Sequence, residues 1–297
     1  MLAIALSLLS AASLGNGAVT GRMGMQGVHP IAVIGVALVV GFVGVTIVDL
    51  ALNPSGMFRV PQQALPWIVA FGLVQFAVGR STAYASMSAI GASRVSLFIS
   101  TQVPFAAFFA IAFTGENLTP LVAVGTLAVM AGLLLASGDS ITQGWRTDRR
   151  YLLGCLSGLM AGAATGGSTV LAKQTVSVSD SPLTISALGM LAAMFIVIPV
   201  VGIIAARSPA VRAFDWKSMG FVCLSGLSTT VSIVAQLFAV QRADVVIVAP
   251  ILATFPLWTL LLAHILISRL EQITLRLTTG AIVTVAGVVA VAIGGQL

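Results

Sequence analysis

Apolar residues fall into ten long runs separated by short polar links. The runs cover approximately residues 2–20, 30–50, 65–87, 94–114, 120–138, 151–171, 183–206, 218–239, 245–267 and 275–294. A helix needs about 20 apolar residues to cross about 30 Å of hydrocarbon, so the pattern predicts ten membrane-spanning helices. The links carry Arg, Pro, Asn and Asp, and their shortness makes neighbouring spans antiparallel. The runs do not alternate at period two, which excludes a membrane β-barrel. No Lys or Arg precedes the first run, so it lacks the basic start of a signal peptide and counts as a span.

The second half repeats the first. Glu116, Thr119, Gly125, Ala131 and Gly132 recur 155 positions later as Glu271, Thr274, Gly280, Ala286 and Gly287. Ala3, Ser7, Ala11 and Gly15 recur 151 positions later as Gly154, Gly158, Gly162 and Gly166. A small residue at every fourth position lets helix backbones approach closely in lipid. The expected division is a first five-helix repeat over 1–139, a connecting loop over 140–150 and a second five-helix repeat over 151–297. Five is odd, so the second repeat enters the membrane with the opposite orientation. The expected fold is an all-α integral membrane protein, with ten transmembrane helices as two inverted five-helix repeats. That plan suits alternating access around a central site.

Composition narrows the function classes. Hydrophobic residues make up 58% and the mean hydropathy is +1.10. Only 7% are charged, against about 25% in a soluble domain, which excludes an ordinary soluble enzyme and a disordered chain. The net charge of +6 contains no basic run longer than Arg149-Arg150, so a nucleic-acid partner is not expected. Cys155 and Cys223 form no metal or redox motif and read as small buried apolar residues. No P-loop and no Ser/His/Asp or metal-ligand constellation is present, so neither an enzyme nor a cofactor is expected.

Two stretches carry a family resemblance. YASMSAIGASRVSLF (84–98) is followed by QVPFAAFF and GENLTP (115–120). AVQRADVVIVAP (239–250) is followed by FPLW and RLEQIT (269–274), and each half closes on an Ala-Gly pair, Ala131-Gly132 and Ala286-Gly287. In order and duplication the chain resembles the drug/metabolite transporter superfamily, in its ten-helix EamA-type branch. It departs from that pattern at Leu14, where a Trp is usual before Gly15, and at Leu270-Glu271, where Gly-Glu is usual. The resemblance implies export of small metabolites or drugs from a bacterial inner (plasma) membrane, through a cavity lined mainly by spans 1, 3, 4, 6, 8 and 9. The expected partners are a small-molecule substrate, membrane lipid, and a proton or counter-substrate as the coupling species.

Candidate residues follow from polarity at depth. Arg80 lies about two-thirds along span three, where a lone Arg costs roughly 2.5–3.5 kcal/mol on insertion scales. No Asp or Glu lies near the centre of any span. Arg80 therefore reads either as a cationic anchor for an anionic substrate group or as an arginine that snorkels to the headgroups. Gln75, Thr101, Gln102 and Asn16 lie at membrane depth, as cavity lining or as interhelical hydrogen bonds. Tyr84 is one turn from Arg80 on the same face. Pro104, Pro250 and Pro256 interrupt spans four and nine, as gating kinks or simple bends. Pro104 also frees a carbonyl near mid-membrane.

Glu116 and Glu271 precede helix starts capped by Thr119 and Thr274, which predicts a structural role at the positive helix ends. Arg94 reads as a loop charge, and His264 sits near Arg269 at the interface. Span one holds no acidic residue, which disfavours multidrug-cation antiport.

The expected function is a secondary transporter that exports small metabolites, carboxylate-bearing ones such as amino acids included, by alternating access. Two alternatives stand beside it: a carrier of neutral or cationic compounds with Arg80 structural, and a non-transporting membrane scaffold. Loops 2/3, 4/5, 6/7 and 8/9 carry three Lys and Arg, and the opposite loops carry ten. The positive-inside rule makes the ten-charge side cytoplasmic and turns both termini outward; the resemblance implies the reverse. The bias is spread over five loops, so the charge count is preferred.

Overall fold

The computed structural model describes residues 1–52, 60–90, 95, 98–99, 101–116, 119–136, 149–179, 181–208, 211, 215–266 and 275–294. Glu271, Thr274, Arg94 and the side chain of His264 lie outside the described residues. Every regular element described is a helix.

Helices α1 (Leu2–Gly24) and α2 (Pro30–Leu52) open the chain. Next come α3 (Leu65–Gly72) and α4 (Ser81–Ile90), joined without a break by Leu73–Arg80, whose backbone widens to i→i+5 hydrogen bonding. The first half ends in α5 (Gln102–Thr114) and α6 (Pro120–Ala136). The second half holds α7 (Arg149–Val178), α8 (Pro182–Arg207), α9 (Trp216–Val240), α10 (Val245–Leu252), α11 (Phe255–Leu266) and α12 (Leu275–Gly294). Helix α7 begins at Arg149, so the expected loop 140–150 gives up its last two residues to it. Asp215 caps α9 by accepting the Ser218 N–H at 3.0 Å, which holds its carboxyl below the usual range.

The outside of the bundle is apolar. Phe195 is 75% exposed, Phe113 70%, and Ile47 and Leu127 more than 60%. A water-facing surface this greasy would aggregate; a lipid-facing one is stable. Among the described residues, six helical stretches are long and apolar enough to cross a membrane: α1, α2, Gln62–Met87, α7, α8 and α9. Helices α5 and α6, the α10–α11 pair and α12 supply shorter apolar stretches.

The halves pack crosswise. Repeat-related glycines on α6 and α12 meet each other's opposite numbers. A Cβ on Gly125 would lie 2.8 Å from the Gly287 carbonyl oxygen, and one on Gly132 would lie 2.7 Å from that of Gly280. Helix α1 packs on α9, where Ser10 Oγ donates to the Ser232 carbonyl at 2.8 Å and Ser225 Oγ to the Gly17 carbonyl at 2.6 Å. Helix α7, the repeat mate of α1, packs on α4 and α5. Its glycine stripe touches Ile90 at Gly154, Phe98 at Gly158, Thr101 at Gly162 and the Gln102 backbone at Gly166. Between these crossed pairs the centre stays open.

Candidate functional site

Spans four and nine are both broken. Helix α5 starts after a turn at Thr101, and α10 and α11 are separated by a turn at Ala253–Thr254. Each break holds a threonine that bonds back three residues: Thr101 Oγ1 donates to the Phe98 carbonyl at 2.6 Å, and Thr254 Oγ1 to that of Ile251 at 2.7 Å. Pro104 and Pro256 stand in the first turns of the helices that resume, where a missing N–H costs little. Pro104 is exposed on the outside of the bundle. The carbonyl expected to be freed is that of Ser100, which lies outside the described residues. Pro250 and Pro256 are buried, and Pro256 borders the central space.

That space is a cavity of about 120 Å³. One water needs ~10–15 Å³ by the same measure, so the cavity holds several. Its walls come from α1, the Leu73–Arg80 segment with α4, Val95, Ile99 and Gln102, α7, α9 and the α10–α11 pair. These elements fall in the first, third, fourth, sixth, eighth and ninth apolar runs of the sequence.

The polar lining sits at mid-depth. Gln75 Oε1 accepts the Ser168 hydroxyl from α7, which leaves its amide nitrogen as the free donor. Gln236 Nε2 donates to Thr169 Oγ1 at 3.0 Å. Ser10 and Ser232 share a hydroxyl contact of 3.0 Å. Gln102 is 3% exposed, and its Nε2 has no partner at all.

Arg80 borders both this cavity and a second one of about 30 Å³ between α2, α8 and α9. Tyr84 borders both as well, so the two side chains form the partition. The widened Leu73–Arg80 segment sets this arrangement. It places Gln75 and Arg80 on the cavity wall, in a helix that holds no proline there. Arg22, exposed in the last turn of α1, stands at the mouth. Among the described residues, no Asp or Glu lines the cavity.

Two expected lining residues lie elsewhere. Asn16 Nδ2 donates to Ser228 Oγ at 2.8 Å on the α1–α9 seam. Thr101 is turned onto Phe98 and Gly162. Both hydroxyl and amide found protein partners nearby, so neither needs the cavity. Gln236 lines the cavity without having been singled out in the sequence; a Gln within an apolar run was the available signal.

Opposite the mouth, polar contacts tie α7 to the start of α10. Lys173 Nζ, at the end of α7, pairs with Asp244 Oδ1 at 3.2 Å and donates to the Ala243 carbonyl at 3.0 Å. Glu116 acts at the same face, but not as expected. Its Oε1 and Oε2 accept the N–H groups of Val245 and Val246 at 3.1 and 3.0 Å. The carboxylate thus caps the helix of the other repeat and not its own, while Thr119 Oγ1 accepts Val122 N–H at 3.4 Å. Asp244 makes no side-chain cap on α10, so Glu116 alone satisfies these two end groups. Glu116→Gln removes the charge and one acceptor and is expected to cost about 1–2 kcal/mol. Thermal unfolding in detergent should show a fall of several degrees, and an unshifted midpoint would refute the capping role.

A family described as EamA-like transporter family matches residues 1–138 and again 152–293. No curated protein sequence matches the chain. A solved structure described only as "Crystal structure of protein" superposes with a TM-score of 0.78 at 14% identity. The match covers 98% of this chain and 96% of that one, so the fold as a whole is shared.

Proposed function

This chain belongs to the EamA-like transporter family, and from that premise we propose that it is a secondary transporter exporting small anionic metabolites by alternating access. That it is a small-molecule transporter of the membrane is the family's property. The proposal adds ten spans in two inverted repeats, the substrate charge and the mechanism. One half rocks against the other about the crossed helix pairs, and the broken helices at Thr101 and Ala253–Thr254 supply hinges in both halves.

The cavity's imbalance of donors over acceptors carries the substrate reading. Arg80 and Arg22 border it, Gln102 offers an unpartnered amide, and no acidic residue is found among its described lining residues. A desolvated donor set of this kind favours a carboxylate or a similar anion. The apolar remainder of the wall, Leu14, Met87, Ile99, Ile233, Leu252 and Phe255, suits an aliphatic or aromatic body.

A thermal-shift screen of purified protein against amino acids and other carboxylates tests this. A ligand at 100 times its Kd stabilises by about 2.7 kcal/mol, a shift that Arg80→Ala should remove. Stabilisation only by cationic or neutral compounds, indifferent to Arg80→Ala, would favour the alternative carrier.

Orientation is tested separately. A reporter active only in the cytoplasm, fused after Leu297, should be silent if the ten-charge side is cytoplasmic. Strong signal from a correctly inserted fusion would reverse the assignment and place the mouth at Arg22 on the outer face.

A further inference from the structure

Two buried glutamines from opposite halves face the cavity beside one turn of α7. Gln75 stands on the Leu73–Arg80 segment of the first half and Gln236 on α9 of the second, and both line the cavity. Their partners are consecutive residues of α7, Ser168 for Gln75 and Thr169 for Gln236. Helix α7 therefore sets both amides.

The hydroxyl bonds decide which end of each amide is free. Thr169 Oγ1 donates to the Thr165 carbonyl at 3.0 Å. A hydroxyl has one hydrogen, so towards Gln236 it can only accept. Gln236 must then present Nε2, at 3.0 Å, and turn Oε1 to the cavity. Ser168 Oγ reaches the same Thr165 carbonyl at 2.8 Å. That carbonyl already accepts the Thr169 hydroxyl and, within the α-helix, the Thr169 N–H. Its two lone pairs are taken, so the Ser168 hydrogen goes to Gln75 Oε1 and turns Gln75 Nε2 to the cavity. Among the described residues nothing else bonds either free end. The neighbouring hydroxyls of Ser10 and Ser232 are engaged with each other at 3.0 Å.

This pair stands apart from the charge. Gly79, the residue before Arg80, packs on Ala164 and Thr165. Ser168 and Thr169 lie four residues further along α7, roughly 6 Å farther from the mouth. Gln102, whose backbone runs beside Gly162 and Gly166, stays at the level of Arg80.

We propose that Gln75 and Gln236 form a neutral subsite that reads an uncharged hydroxyl or carboxamide on the substrate, beyond its anionic group. An amide N–H beside an amide C=O matches a group that both accepts and donates. A hydroxyl or a carboxamide does both. A methyl does neither, and an ammonium only donates, which leaves Gln75 Nε2 facing another donor. A ligand that displaces water from the pair without replacing its bonds strands two buried polar groups. Gln236 is the specificity-determining residue of the pair, and Thr169 and Ser168 are its positioning residues. The placing of a carboxylate beside the subsite rests on the anion reading above; the orientation of the two amides does not.

Hexanoate, ω-hydroxypentanoate and ω-aminopentanoate end in a methyl, a hydroxyl and an ammonium on chains of one length, and they are the probes. Calorimetric titration of the purified full chain should find the hydroxyl form about 5- to 150-fold tighter than the other two, the range for leaving a buried polar group unpaired. Gln236→Met keeps the length and should bring the ratio of hydroxyl to methyl affinity down to about one. Thr169→Val frees Gln236 from its anchor and should lower the ratio in part, while Thr169→Ser should restore it. A merely structural Thr169 would weaken all probes alike and leave the ratio unchanged. The Thr169 variants serve also if Gln236→Met does not fold.

Equal affinity for the hydroxyl and methyl forms, tightest binding of the ammonium form, or binding of none of the three would overturn the proposal. Equal hydroxyl and methyl binding that is lost in Arg80→Ala removes the glutamine pair and leaves the anion reading standing. A hydroxyl preference that needs Gln236 but survives Arg80→Ala does the reverse.

Discussion

Replacing Arg80 by alanine is expected to cut transport of a carboxylate substrate by roughly 10- to 150-fold. A hydrogen bond to a charged group contributes about 1.5–3 kcal/mol, and each 1.4 kcal/mol is a factor of ten. The guanidinium borders the central cavity, and no ion pair is formed with it among the described residues. That arrangement separates function from folding. Removing one member of a buried pair strands the other, but no carboxylate is stranded here. Arg80→Ala should therefore insert, purify and unfold like the parent while losing uptake and efflux in vesicles. Arg80→Lys should recover part of the rate, since it keeps the charge without the planar fork. Unchanged kinetics in the alanine variant would take Arg80 out of the site and return it to the snorkelling role.

Gly162→Leu should prevent assembly of the bundle or stop its movement. A Cβ at Gly162 collides with the Thr101 hydroxyl and lies 2.6 Å from the Phe98 carbonyl oxygen. Leucine adds three further carbons at a crossing of α7 on the broken fourth span. Overpacking a fitted interior typically costs about 1–3 kcal/mol. Here the obstacle includes backbone, so the helices must separate instead of side chains turning. Folded yield from detergent should fall sharply, and any protein recovered should be inactive. A normally expressed, fully active Gly162→Leu protein would contradict the close crossing. Gly72 marks the same kind of contact at the α3–α8 seam, where a Cβ would collide with the Gly189 carbonyl.

Several site residues were legible before the fold was known because they violate the membrane's preference for apolar side chains. Arg80, Gln75 and Gln102 stood out as polar groups within apolar runs, and all three border the cavity. Asn16 and Thr101 stood out equally, yet one bonds Ser228 and the other its own helix. Polarity at depth announces that a partner is needed, not which partner supplies it. Threonine is the least informative, because its hydroxyl can bond a carbonyl three or four residues back.

By itself the sequence determined the solvent, the helical class and the twofold repetition. These are one-dimensional properties: run length against bilayer thickness, and identity at a fixed offset. Tertiary structure alone decided which face of each helix turns inward. In lipid the outward face is as apolar as the packed one, so periodicity does not tell them apart, and the phase of each helix is set by its partner. The same holds for Glu116. Its charge and position predicted a helix end, but the end it caps is 129 residues away in the other repeat. The crossing of the two halves brings that end within reach.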